Sequence, residues 1–178
     1  MEIGSKRTKT VCFRVPEEII KEVEKEAKMK LTSTNVLINQ ILHQYVSWGR
    51  YEHRMRMFPI PEDNLFHVFN SLNEMQAKEA IEKTFSSIRD WALLTRKKFD
   101  IHSCLEVLQD YCKLVNISVE ENNSAGYRSY VIRHSMGPKI SSFIDELVTK
   151  IFWELTKIKV ESQSTKTTVV VKLLSKFD

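Results

Sequence analysis

A chain of 178 residues is long enough for one domain or two small ones, and it can bury a real core. An apolar share of 42% beside 28% charged residues is ordinary for a globular protein, and no apolar run approaches the roughly 18 residues that a membrane span needs. The net charge of +4 is mild but unevenly placed: Lys6, Arg7, Lys9 and Arg14 face only Glu2 near the start, and Arg50, Arg54 and Arg56 form a second cluster. Three cysteines without paired spacing, and no signal-like apolar segment, lead us to expect free thiols and a cytoplasmic protein.

The stretch KTVCFRVPEEI, Lys9 to Ile19, changes period in its middle. Val11, Phe13 and Val15 alternate as in a strand, leaving Thr10, Cys12 and Arg14 on the other face. From Pro16 the repeat is helical. Pro16 suits a first turn, Glu17 and Glu18 sit where the helix dipole favours negative charge, and Ile19, Ile20, Val23 and Ala27 form a stripe. A lone strand cannot satisfy its own backbone groups, so it needs a partner.

Thr32, Ser33, Thr34 and Asn35 supply candidate caps for a second helix. That helix carries apolar pairs at Leu37 and Ile38, Ile41 and Leu42, and Tyr45 and Val46 before Gly49 closes it. So wide a stripe exceeds what one short helix and one strand can cover.

FRVPEEI with its helix, and STNVLINQILHQYV after the turn, resemble the ribbon-helix-helix family of DNA-binding repressors over about residues 8 to 48. The resemblance implies an intertwined homodimer, or a higher oligomer, whose antiparallel two-stranded ribbon enters the major groove of double-stranded DNA. It places Thr10, Cys12 and Arg14 against base edges, Arg14 being able to bond guanine O6 and N7 together. It places backbone N–H groups near Thr32, Ser33 and Thr34 on a phosphate, with Lys6, Arg7 and Lys9 as further phosphate contacts. Two positions depart from the pattern: Cys12, where a polar residue is expected, and Leu31, where the family's turn usually has Gly. The alternative is a strand that merely dimerises, with solvated basic residues.

RYEHRMRMFPIPE, with Pro59 and Pro61, reads as a boundary, giving residues 1–49 as the ribbon-helix-helix unit, 50–61 as linker and 62–178 as a second domain. Three amphipathic helices follow. The first uses Leu65, Phe66, Phe69 and Leu72. The second begins at an Asn73/Gln76 capping box and runs to about Lys97, burying Ala77, Ala80, Ile81, Ile88 and Ala92. The third follows Asp100 and uses Ile101, Leu105, Leu108, Cys112 and Val115.

ISVEE, an ENNSAG turn and YRSYVIRH read as a hairpin; Gly137 and Pro138 precede an apolar helix from Ile140 to Leu155; IKVES and TTVVVKLL read as a second hairpin. The order β-β-α-β-β predicts an α+β domain with an antiparallel sheet and one helix across a face. His134 and Gly137, as H-x-x-G before such a helix, are similar to a feature of archaeal regulators that share the ribbon-helix-helix start. That likeness carries no activity.

His102, Cys104 and Cys112 invite a metal reading, since nickel-responsive repressors join this fold to a sensing domain. Cys112, however, lies on an apolar stripe, and eight residues of helix put it roughly 12 Å from Cys104, so we expect structural cysteines and no metal or cofactor. Tyr127, Tyr130, Arg133 and His134 form a candidate pocket for a small-molecule or protein effector. No phosphate loop, nucleophile elbow or paired carboxylates with an evident general-acid role occur, so we expect no enzyme. The expected function is a homodimeric transcription regulator, a repressor by the resemblance. The alternative is an antitoxin-like module whose C-terminal part binds a protein.

Overall fold

Pro16 cannot donate a backbone hydrogen bond and Glu17 and Glu18 complement a helix start, so the first helix begins there. In the computed structural model, which describes residues 8–124 and 127–173, α1 spans Glu17–Met29 with Pro16 as N-cap, and α2 spans Thr34–Ser47. The chain divides into two compact units, Met1–Gly49 and Arg50–Asp178.

In the first unit, α1 ends in a Schellman turn. Leu31 N–H donates to Lys28 O at 3.1 Å and Thr32 N–H to Ala27 O at 2.9 Å. That geometry requires a left-handed residue, normally Gly, and Leu31 takes it with φ 52°. Ser33 then caps α2, its hydroxyl accepting Val36 N–H at 3.2 Å. Ala27 and Leu37 are buried where the two helices meet, but Ile20, Val23 and Ile38 are only half-buried. Residues 8–16 carry no regular secondary structure, because a strand is defined by a ladder and Val11–Val15 has no ladder partner among the described residues.

A single 3-10 turn, Gly49–Tyr51, begins at the last residue of the first unit, and a short helix α3, Glu52–Met55, follows in the second. The segment expected to lack regular structure is therefore helical before its prolines, and irregular only from about Met57 to Pro61. Helices α4 (Glu62–Ser71), α5 (Glu74–Arg96) and α6 (Ile101–Leu114) follow. The capping box closes in both directions: Gln76 N–H donates to Asn73 Oδ1 at 2.9 Å, and Asn73 N–H to Gln76 Oε1 at 3.0 Å. Asp100 caps α6 through Ser103 N–H. The deepest residues of α6 are Cys104 and Val107 rather than Leu108 or Val115. The helix is covered from two sides, by α5 and by the sheet and last helix, which widens its buried face.

Strands β1 (Ser118–Ser124) and β2 (Tyr127–Arg133) pair antiparallel; α7 (Pro138–Thr156) crosses; β3 (Val160–Ser164) and β4 (Thr168–Leu173) close an antiparallel sheet of order β1-β2-β4-β3. The fold is α+β. Strand β1 runs further than expected, since Asn122 pairs with Ser129 and Asn123 with Arg128. Cross-strand partners outweigh the turn preference of Asn. Val119, Ile132 and Val169 align across one face, as do Tyr130 and Val171. This face packs on Val148 and Phe152 of α7 and on Ile101 and Leu105 of α6.

Polar links hold the helical layer to itself. Arg96 Nε binds Glu106 at 2.7 Å and its terminal nitrogen binds Asp110, tying α5 to α6. Lys150 of α7 reaches Glu82 of α5 at 2.8 Å, and Lys139 donates to Asn70 O and Leu72 O, satisfying the end of α4. Among the described residues no helix is long and apolar enough to cross a membrane.

Candidate functional site

Thr10, Cys12 and Arg14 alternate with Val11, Phe13 and Val15, and all six side chains are exposed. Val11 and Phe13 are 64% and 62% accessible, unusual for large apolar groups. On α2, Ile41, Leu42, Tyr45 and Val46 recur at helical spacing and are likewise exposed. The first unit thus presents one apolar helix face and one apolar set of alternating side chains, both open.

Lys9 is exposed; Lys6 and Arg7 lie outside the described residues. Among the three positions expected to offer backbone N–H to a phosphate, Thr32 does not qualify, because the Schellman turn uses its N–H. Val36 N–H is taken by the Ser33 cap. Thr34 and Asn35, the first two residues of α2, are where an α-helix leaves its N–H groups without intrahelical acceptors.

Of the expected pocket of Tyr127, Tyr130, Arg133 and His134, the described side chains Tyr130, Arg133 and His134 do not come together. The side chain of Tyr127 lies outside the described residues. Tyr130 and Arg133 are three apart on β2, so the period of two sends them to opposite faces: Tyr130 is buried on the inner face, whereas Arg133 pairs with Glu120 at 2.7 Å on the outer one. His134 is buried beyond the strand end. Its Nδ1 accepts Met136 N–H at 3.1 Å, which puts the ring proton on Nε2, 3.0 Å from Ser141 Oγ. Burial holds its pKa below the usual value, partly opposed by Glu62. It is a neutral, fully bonded residue of the turn into α7, where Gly137 at φ 82° lies against Phe66.

His102, Cys104 and Cys112 do not converge either. No group of three His, Cys, Asp or Glu side chains able to hold a metal occurs among the described residues. The side chain of His102 is 82% exposed beside Glu106, while burial pushes both Cys104 and Cys112 up to about 11, keeping them as thiols at neutral pH.

A different pocket exists within the second unit. It measures about 330 Å³ and lies between α5, α6, α7 and the inner face of the sheet, with Leu65 and Phe69 of α4 at one side. Ile88, Leu108, Ile132, Phe143, Ile144 and Leu147 supply its apolar walls. Thr84 and Ser87 of α5 and Gln109 of α6 are among its half-buried polar groups, with Trp91 and Tyr111. Among the described members of the expected set, Tyr130 lines it. Sequence periodicity identifies Ile88, Leu108, Phe143, Ile144 and Leu147 as core and says nothing about space left between them.

No protein-family model matches this chain, and no curated protein matches it.

Proposed function

We propose that this protein is a homodimeric, sequence-specific DNA-binding regulator, a repressor by its ribbon-helix-helix resemblance, in which residues 10–15 of two chains pair as an antiparallel ribbon. The observation that carries this reading is the unfinished first unit. Its alternating apolar set (Val11, Phe13, Val15) and its α2 face (Ile41, Leu42, Tyr45, Val46) are exposed together. A second copy would cover both at once, turning Thr10, Cys12 and Arg14 outward. Arg14 then reads a guanine edge, Thr10 a neighbouring base, and Cys12 packs on a thymine methyl. Thr34 and Asn35 at the start of α2, with Lys9, hold the backbone phosphates. The second unit buries its own core within a single chain, which favours a folded assembly or sensing domain over an antitoxin-like segment that orders on a partner.

The test is titration of wild type and Arg14→Ala into a random duplex pool by fluorescence anisotropy at two salt concentrations, followed by sequencing of the bound DNA. For six to ten phosphate contacts, affinity should fall by roughly 10³ to 10⁵ between about 50 and 200 mM salt. An enriched palindrome should appear, and Arg14→Ala should relax one position in each half-site at a cost of about 1 to 3 kcal/mol. No binding at low salt would reduce the ribbon to a dimerisation device.

A further inference from the structure

We propose that the pocket between α5, α6, α7 and the sheet binds a small, neutral, largely apolar molecule carrying one hydrogen-bonding group. The inference stands apart from the DNA-binding reading, since it concerns only the second unit and is read without DNA.

Size sets the first limit. Protein interiors pack with few voids larger than a water molecule, and this partly open cleft of about 330 Å³ between helices and sheet is well above that size. An apolar cavity of about 150 Å³ holds a benzene ring, so this one suits roughly two fused or linked rings. It falls at the small end of the range of about 300 to 1,000 Å³ typical of ligand sites.

Charge sets the second limit. The only cationic side chain on the walls is Lys83, which is 74% exposed and held by Glu79 at 2.8 Å. Burial raises the pKa of Tyr111 and of Cys112, so both remain neutral at physiological pH. A charged ligand would lose its hydration and gain no counter-charge. Thr84, Ser87 and Gln109, on facing helices, offer hydroxyl and amide partners for a single hydroxyl, carbonyl or amide of the ligand.

The probe is N-phenylnaphthylamine, a neutral two-part aromatic dye that fluoresces in apolar surroundings, titrated into the full chain. Saturable binding of one dye per chain is expected, displaced by naphthol and at least about tenfold less well by anionic naphthoate. Cys112→Phe and Ser87→Trp each place a ring in the space and should weaken dye binding by about tenfold or more while the circular dichroism spectrum stays native. Filling real space should also leave the melting temperature of Cys112→Phe unchanged or raised. If that variant does not fold, Ser87→Trp, at a half-buried position, gives the answer. Absence of saturable binding, or dye affinity unchanged in a folded filled variant, would overturn the site; the second result would place the dye on the exposed faces of the first unit. Equal displacement by naphthoate would overturn the neutral ligand class.

Discussion

Phe13→Ala tests the paired ribbon directly. The side chain is 62% exposed in the single chain. A phenylalanine offers roughly 200 Å² of apolar surface, so about 120 Å² per chain is available to a second copy. At about 25 cal/mol per Å², full burial contributes some 3 kcal/mol per chain and about 6 kcal/mol per dimer. Halving for incomplete coverage leaves about 3 kcal/mol, a weakening of the dimer of roughly a hundredfold. Sedimentation equilibrium over a concentration series reads this directly, with Met75→Ala as the control, because Met75 is 76% exposed but lies on α5 in the other unit. The expected result is a dissociation constant raised by Phe13→Ala and unmoved by Met75→Ala. A wild type that stays monomeric at micromolar concentration, or a Phe13→Ala dimer as tight as wild type, would refute the reasoning.

Two further outcomes follow from local geometry. Leu31 occupies the left-handed position of a Schellman turn with its side chain 96% exposed, so Leu31→Gly removes strain and loses almost no packing. Setting about 1 to 2 kcal/mol of left-handed strain against roughly 0.5 to 1 kcal/mol of added chain entropy, the variant should gain about 0.5 to 1 kcal/mol, visible in thermal unfolding, while Leu31→Ala should change little; equal gains from both would sink the turn argument. His134 has a folded-state pKa below its usual 6.5, so its contribution to stability is complete above pH 6.5 and is lost as pH falls through the folded value, because only the unfolded chain takes up the proton readily. Urea unfolding at about pH 7.5 and pH 5 should show a smaller acid loss in His134→Gln than in wild type, and an unchanged gap would assign the loss to other groups.

Much of the second unit was legible in the sequence. Asn73 with Gln76, and Asp100 before Ile101, marked helix starts because capping is a local, side-chain-to-backbone matter. The alternation in residues 127–133 and 168–173 gave strands whose inner faces are those now buried. What failed needed longer-range information. Asn122 and Asn123 read as turn, yet their partners on β2 make them strand. Tyr130, Arg133 and His134 are neighbours in sequence, but strand period separates the first two and the chain's exit from the sheet places the third. Cys104 and Val107 became the depth of α6 because a second layer covers a flank that one helical wheel treats as marginal.

The same limit explains both candidate sites. Periodicity says which face of an element is apolar and is silent about what covers it. In the second unit α5, α6, α7 and the sheet cover one another, and the pocket of about 330 Å³ is the part of those apolar faces they leave uncovered. In the first unit the uncovered part is larger: α1 and α2 bury Ala27 and Leu37 between them, while Phe13, Leu42, Tyr45 and Val46 stay open. A partly enclosed cleft of this volume within one unit suits something small, whereas an open face flanked by alternating side chains admits another folded surface. The alternation supplies the reason for choosing a second copy as that surface. In a two-fold antiparallel pair centred on Phe13, Phe13 would meet its own copy and Val15 would meet Val11, so apolar faces apolar across the proposed ribbon and every polar position is doubled on the opposite face.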